Sequence, residues 1–329
     1  SRSGCRRPLL LHATAVSVMQ PSINTNIDIA ELLIRFHDRV RASDVAQLSD
    51  LSRQSARQLR QLWPTLPVAA RRRLVHMMAE LAEENLALNF RHVFLIALDD
   101  DDQQVRECAI AGLWEEEDTL VLHRLLERLS RESEPSVRAA LAQALGRFTE
   151  LDVLGRLPLE VCRALRAALF SLLESSEPLE VRRRALEAVA VYSYDPRINE
   201  AIEEAYWSGE HALKVSALYA MGRSLDRRWL PLLLEELQSE HPAYRYEAAT
   251  ACGELGAEEA VDELISLTSD PDRAVQGAAI AALGRIGGTL ATNVLRRLAR
   301  STDPVVRDAA EEALAEAVFA SDPLRPTPW

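Results

Sequence analysis

The sequence predicts an all-α fold, an α-α superhelix of about eight stacked helical hairpins. Three observations carry this expectation. A short phrase recurs along the chain with a period near 31 residues. Within each copy the apolar and small residues fall at helical spacing. The composition is 48% apolar but only 5% aromatic, and it is rich in Ala, Leu, Glu and Arg rather than in β-branched residues, which favours helices over sheets.

The elements follow in chain order. Residues 1–26 are expected to be a flexible N-terminal extension. Arg2, Arg6 and Arg7 precede a short apolar stretch from Leu9 that His12 interrupts, which makes a poor signal peptide. Met19 is the expected start, with the residues before it an extension. Residues 27–63 are read as N-terminal capping helices near Asp28–Val40 and Asp44–Leu62, residues 64–320 as the repeat array, and residues 321–329, with three prolines, as a flexible tail.

The repeated phrase is an acidic residue, often followed by Pro, then Val-Arg, then an alanine-rich helix. It reads EPSVRAALAQALG at Glu134–Gly146, HPAYRYEAATACG at His241–Gly253 and DPDRAVQGAAIAALG at Asp270–Gly284. With the Val position as slot zero, the occupants are Val105, Val137, Val181, Leu213, Tyr244, Val275 and Val306, spaced by 32, 44, 32, 31, 31 and 31. Ala70 heads a weaker first copy. The spacing of 44 holds about 13 extra residues, which map near Phe148–Glu160. Slots 0, +4, +7, +8 and +11 form one apolar stripe. Slots +4 and +7 are mostly Ala, small enough for a neighbouring helix to approach closely. The acidic residue and Pro suit a helix start. A second helix occupies each period, at Leu120–Ser130, Leu159–Leu173, Ile198–Trp207, Leu230–Gln238, Glu258–Leu267 and Leu290–Ala299. Each unit is therefore a hairpin of helix A, a tight turn and helix B. One hairpin cannot bury its apolar faces alone, so the hairpins must stack.

This pattern resembles the HEAT repeat family in its short form, known from phycobilisome lyase HEAT-like repeats, over roughly residues 64–318. The resemblance implies a right-handed solenoid with B helices lining a concave face and A helices a convex one. Every residue that carries it is structural, so it implies no particular activity.

Composition narrows the function classes. The chain carries 37 arginines and a single lysine, Lys214, and its net charge is -12. Residues 195–320 hold 22 acids against 12 bases, so this half should repel phosphate backbones, and no nucleic acid partner is expected. No run of about 18 apolar residues exists, and no membrane association is expected. The four cysteines lack metal-site or disulfide-framework spacing. Cys108 and Cys252 read as core residues, which fits a reducing, cytoplasmic compartment, and the repeat resemblance implies a bacterial-type protein. The acidic clusters Asp99–Asp102 and Glu115–Asp118 lack the spacing of a calcium loop. The first reads as a helix cap and the second as a negative patch useful to a basic partner.

Candidate contact residues come from slots that packing does not dictate, chiefly +2, +3, +6 and +10. Eight of the 17 aromatic residues lie between Tyr192 and Tyr246. Tyr219 at +6 and Tyr246 at +2 fall off the apolar stripe on successive B helices. Tyr and Arg are enriched in interface hot spots. Tyr219, Tyr246, Arg223, Trp229, Glu247 and Glu254 are accordingly read as a protein-binding patch.

Enzymes on similar scaffolds make three comparisons possible. Nothing marks a bilin pocket. The di-iron hydroxylase built from HEAT repeats carries His-Glu pairs on its B helices. Here the nearest match is Arg245-Tyr246-Glu247, with Tyr where His is required, and Glu210-His211 and Glu240-His241 are reversed and lie in turns. A HEAT-like DNA glycosylase would need a basic groove, and the half that holds Trp207, Tyr219 and Asp226 is acidic. The expectation is a non-catalytic scaffold, without cofactor, metal or catalytic residue, that binds an unidentified protein along its concave B-helix surface. The alternative is a bilin lyase-like or pigment-protein-handling auxiliary subunit.

Overall fold

The computed structural model describes residues 28–174 and 176–321. The expected flexible extension, Met19 and most of the expected tail lie outside them. The chain divides into two compact units at residues 90 and 91. The first therefore takes in the Ala70 helix together with the capping helices.

In the first unit, α1 (Ile29–Asp38) starts where the Asp28 carboxylate accepts from the amides of Ala30 and Glu31. The helix expected over Asp44–Leu62 is broken into α2 (Ala42–Val45), a turn of 3-10 helix, and α3 (Arg53–Leu62). The break has a local cause. Asp50 takes a left-handed φ of 49°, and the Ser52 hydroxyl accepts from the Ser55 amide to start a new helix. Helix α4 (Val68–Glu84) buries Ala70, Leu74 and Met78 on one stripe.

The second unit is an α-solenoid of seven hairpins. The A helices are α5 (Arg91–Ala97), α7 (Thr119–Arg131), α9 (Leu159–Ser171), α11 (Pro196–Trp207), α13 (Leu230–Glu236), α15 (Val261–Leu267) and α17 (Gly288–Leu298). The B helices are α6 (Gln103–Gly112), α8 (Pro135–Val153), α10 (Leu179–Val189), α12 (His211–Arg223), α14 (Pro242–Glu254), α16 (Arg273–Ile286) and α18 (Pro304–Ser321). Asp102, Asp118, Asp195 and Asp272 cap helices through their side chains. Proline occupies the first turn of α8, α11 and α14, where its missing N–H is no loss. The extra residues of the second period go chiefly into α8, which runs 19 residues to Val153. Gly155, at φ 66°, then turns the chain toward α9.

The B helices form the more closely packed layer. A glycine at slot +9 faces the slot +7 alanine of the next B helix. A β-carbon on Gly222 would lie 2.7 Å from the Ala251 Cα, and one on Gly253 would lie 2.8 Å from the Ala282 Cα. The obstruction is backbone and cannot swing aside. Close B helices and spread A helices put the B layer on the inside of the bend.

The recurrent Arg at slot +1 ties the hairpins together. Arg245 donates through Nε and Nη2 to Asp270 of the next hairpin at 2.8 and 2.9 Å, and through Nη1 to the Ser239 and Glu240 carbonyls of its own turn. Arg106 does the same with Glu132 and with the Asp100 and Asp101 carbonyls. Arg138 repeats it with Glu177 and with the Leu129 and Glu132 carbonyls. A planar fork suits this two-sided task, and an ammonium does not.

Two expected outcomes test this packing. Gly253→Ala should destabilise the fold by about 1–3 kcal/mol through overpacking. Gly277→Ala, whose β-carbon would meet nothing within 4 Å, should stabilise it by about 0.5–1 kcal/mol. Urea unfolding of both variants checks the pair, and equal effects would refute the close-approach account.

Arg245→Met should cost about 3–5 kcal/mol, because Asp270 is left as a buried, unpaired carboxylate. Burial alone would raise the Asp270 pKa, but the Arg245 hydrogen bonds and the Asp272 amide hold it below the usual carboxylate range. The stability this gives is present above the ordinary aspartate pKa and is lost as pH falls through the lowered value. The variant should therefore lose part of the wild-type stability decline below about pH 4, read as a shallower slope of unfolding free energy against pH.

Candidate functional site

The inner face of the B layer carries a groove of about 410 Å³. The lengthened α8 brings Arg147 and Glu150 to one side, and α10 supplies Arg183 and Glu187. Tyr219 and Arg223 of α12 and Glu247 of α14 close the other side. These are mostly slots +2, +3, +6 and +10, the positions that packing leaves free. Helix α10 stops at Val189, so Glu150 of α8 reaches past its end to an ion pair with Arg223 of α12. The extra residues in the sequence thus build one wall of the groove.

The groove carries a mixed charge pattern. Ser216 is fully buried. It donates to Glu187 at 2.6 Å and accepts from Arg183 Nε at 3.1 Å, so both side chains are held at fixed positions. Glu247 is half-buried, and among the described residues it has neither a hydrogen-bond nor an ion-pair partner. Burial, reinforced by the nearby Glu187 and Glu254 carboxylates, pushes its pKa up to about 7, against a smaller opposing pull from Arg183. Burial also raises the Glu254 carboxyl and the Tyr219 phenol, with Arg223 opposing both shifts.

Of the residues read from sequence as a contact patch, Tyr219, Arg223 and Glu247 line this groove together, and Glu254 is their electrostatic neighbour. Tyr246 is 39% exposed but does not line the groove, because the turn of α14 presents slot +3 there rather than slot +2. Trp229 does not belong with them. It is 3% exposed in the 3-10 turn before α13, packed in the core as an apolar residue. Arg183, Glu187 and Glu150 were missed as individual positions. The only signal for them was the 44-residue spacing and the off-stripe slots.

Other expectations also need adjusting. Cys252 is fully buried, and burial pushes its thiol up to about 12, whereas Cys108 is only half-buried. The second acidic cluster is not a bare patch. Arg91 pairs with Glu116 at 3.4 Å and with Asp118 at 2.7 Å, and Arg147 donates to the Glu116 carbonyl. No helix among the described residues is long and apolar enough to cross a membrane.

Comparison with known proteins defines the class. Residues 230–315 match the sequence model of HEAT repeats. These residues fall within the hairpins of the second unit, which thus holds HEAT repeats from α13 to α18. Among curated relatives it is similar to human deoxyhypusine hydroxylase, 31% identical over 103 residues, which is 31% of this chain and 34% of the relative. It is also similar to deoxyhypusine hydroxylase-B of Oryza sativa subsp. japonica, 34% identical over 119 residues, 35% of this chain and 39% of the relative. The matches thus span between a third and two-fifths of the length of these relatives. Among solved structures it is similar to the CpcE–CpcF complex of phycocyanin lyase from Nostoc, with TM-score 0.46 and 16% identity, covering 69% of this chain and 94% of that one.

These relatives correct two expectations. The chain was expected to be a non-catalytic scaffold and not an enzyme, whereas its curated relatives are enzymes by name. The repeat signature reports packing, so chemistry placed in off-stripe slots leaves no motif to read. A metal centre held by His-Glu pairs is a separate matter. Among the described residues no group of three or more His, Cys, Asp and Glu could hold a metal ion. Tyr246 stands where a His would be needed, and the donor set present does not fit such a centre.

Glu247→Gln tests the electrostatics of the groove. The raised pKa means that the folded state holds this proton more tightly than the unfolded state. Wild-type stability should therefore fall as pH rises from about 4.5 to about 7. The variant should lack that slope and be more stable by on the order of 1–2 kcal/mol above neutrality. Urea unfolding across this pH range reads the difference.

Proposed function

We propose that this chain is a cytoplasmic HEAT-repeat enzyme that acts on a polypeptide held against its B-helix groove, with Glu247 as the proton-transferring group. The observation that carries this reading is the unpaired Glu247 carboxyl. It sits in the groove beside the Tyr219 phenol, within a frame fixed by Arg183, Ser216 and Glu187. A carboxyl poised near neutrality is suited to both giving and taking a proton. The groove is open and spans four successive B helices, a shape suited to an extended chain segment. The acidic balance of residues 195–320 favours a basic or neutral polypeptide over a nucleic acid. The described cysteines form no disulfide, in keeping with a reducing compartment.

A photo-crosslinking residue at position 219 captures the polypeptide, with one at the outward-facing Leu120 as control. The captured polypeptide is then incubated with the wild type and with Glu247→Gln, and its mass is followed. The wild type should convert it, and the variant should still bind it while converting it about 10²-fold more slowly or worse. Equal conversion by the variant would refute the role of Glu247. No conversion by the wild type would refute the enzyme reading.

A further inference from the structure

The single lysine of the chain occupies slot +1 of α12, where Arg106, Arg138 and Arg245 stitch neighbouring hairpins. Lys214 reaches the next hairpin as those arginines do, placing Nζ 2.6 Å from Glu236 Oε1. It does so as a point charge, with no fork to cover the turn beside it. The ammonium lies 4.5 Å from the Tyr206 ring centroid and 4.7 Å from that of Tyr244. The Tyr206 hydroxyl donates to the same Glu236 oxygen at 2.6 Å. Next to this box, on the edge formed by the A-to-B turns, a cleft of about 940 Å³ remains open.

Three features of the cleft converge. Trp207 stands at its rim, 70% exposed, edge-on to Tyr206 at 4.6 Å. Five glutamates line the cleft against one lysine. Lys214 answers Glu236, but Glu210, Glu235, Glu240 and Glu263 have no ion-pair partner among the described residues. In a chain with 37 arginines, most of them paired with nearby carboxylates, four unanswered carboxylates around an exposed indole make an unfilled half of a charge pair. Aromatic faces beside carboxylates attract cationic side chains, arginine above all.

We propose that this cleft is a docking site for an arginine- or lysine-bearing segment of a protein partner. The cationic head sits between Trp207 and the carboxylates of Glu235 and Glu263, and Lys214 holds the wall in place. The site is separate from the Glu247 groove and does not depend on the reading given to it.

The test uses a short capped peptide that alternates glycine with arginine, titrated by calorimetry into the full chain. Trp207→Ala and the double variant Glu235→Gln/Glu263→Gln should each weaken binding at least fivefold, as should raised salt. Lys214→Arg restores the residue found at this slot in other repeats. It should keep the thermal midpoint at or above that of the wild type while its longer fork fills the cleft and weakens binding comparably. Glu311→Gln/Glu312→Gln removes the same charge from exposed positions of α18 and should leave binding unchanged. No binding by the wild type, wild-type affinity in both Trp207→Ala and Lys214→Arg, or equal loss in the α18 variant would overturn the proposal.

Discussion

Close approach between neighbouring B helices governs the second unit. Where Gly222 meets Ala251 and Gly253 meets Ala282, no room exists for one more carbon. The A helices, which carry larger side chains, stand further apart. A stack that is tight on one side and loose on the other must bend, and its inner surface is then the B layer. Residues from slots +2, +3, +6 and +10 lie toward it, and the phase of each helix decides whether slot +2 or slot +3 lines the groove. The groove is thus a consequence of backbone spacing, and the side chains that line it are free to differ because they bear none of the packing. The α8 extension exploits that freedom. It adds a wall where α10 ends early, and Glu150 closes the gap to Arg223.

The arginine forks hold this bend in register. Arg106, Arg138 and Arg245 each satisfy a carboxylate of the next hairpin and two carbonyls of their own hairpin, so breaking one leaves several polar groups without partners in a dry turn. Lys214 departs from the pattern. An ammonium can satisfy Glu236, and two tyrosine faces shield it, but it leaves space that a guanidinium would occupy. Uneven aromatic content and uneven charge meet at that one position.

The hairpins, the A-helix limits and the arginine stitches were legible because packing repeats itself and every copy votes for the same register. What was not legible follows from the same physics. The break at Asp50 depends on one left-handed residue, which no periodicity announces. Trp229 looked like a contact residue because aromatic clustering does not say which side of a helix is wet. Tyr246 and Glu247 are adjacent in sequence, and choosing which one faces the groove required the actual phase of α14. The enzymatic character of the relatives had no sequence correlate in the repeat, since the stripe that identifies the fold excludes the slots where chemistry can sit.

Glu247 shows how far the scaffold constrains that chemistry. A carboxylate at slot +3 of a B helix, facing Glu187 and Glu254 in a half-dry groove, is costly to charge without compensation. A histidine beside such a glutamate could share a metal cation with it. Tyr246 at slot +2 offers no such ligand, and Arg183 is already engaged by Ser216 and Glu180. The remaining source of positive charge is a proton, and the carboxyl accordingly retains one up to about pH 7. Burial and the neighbouring Glu187 and Glu254 carboxylates together set the proton affinity of Glu247 within the range where acid–base chemistry is effective.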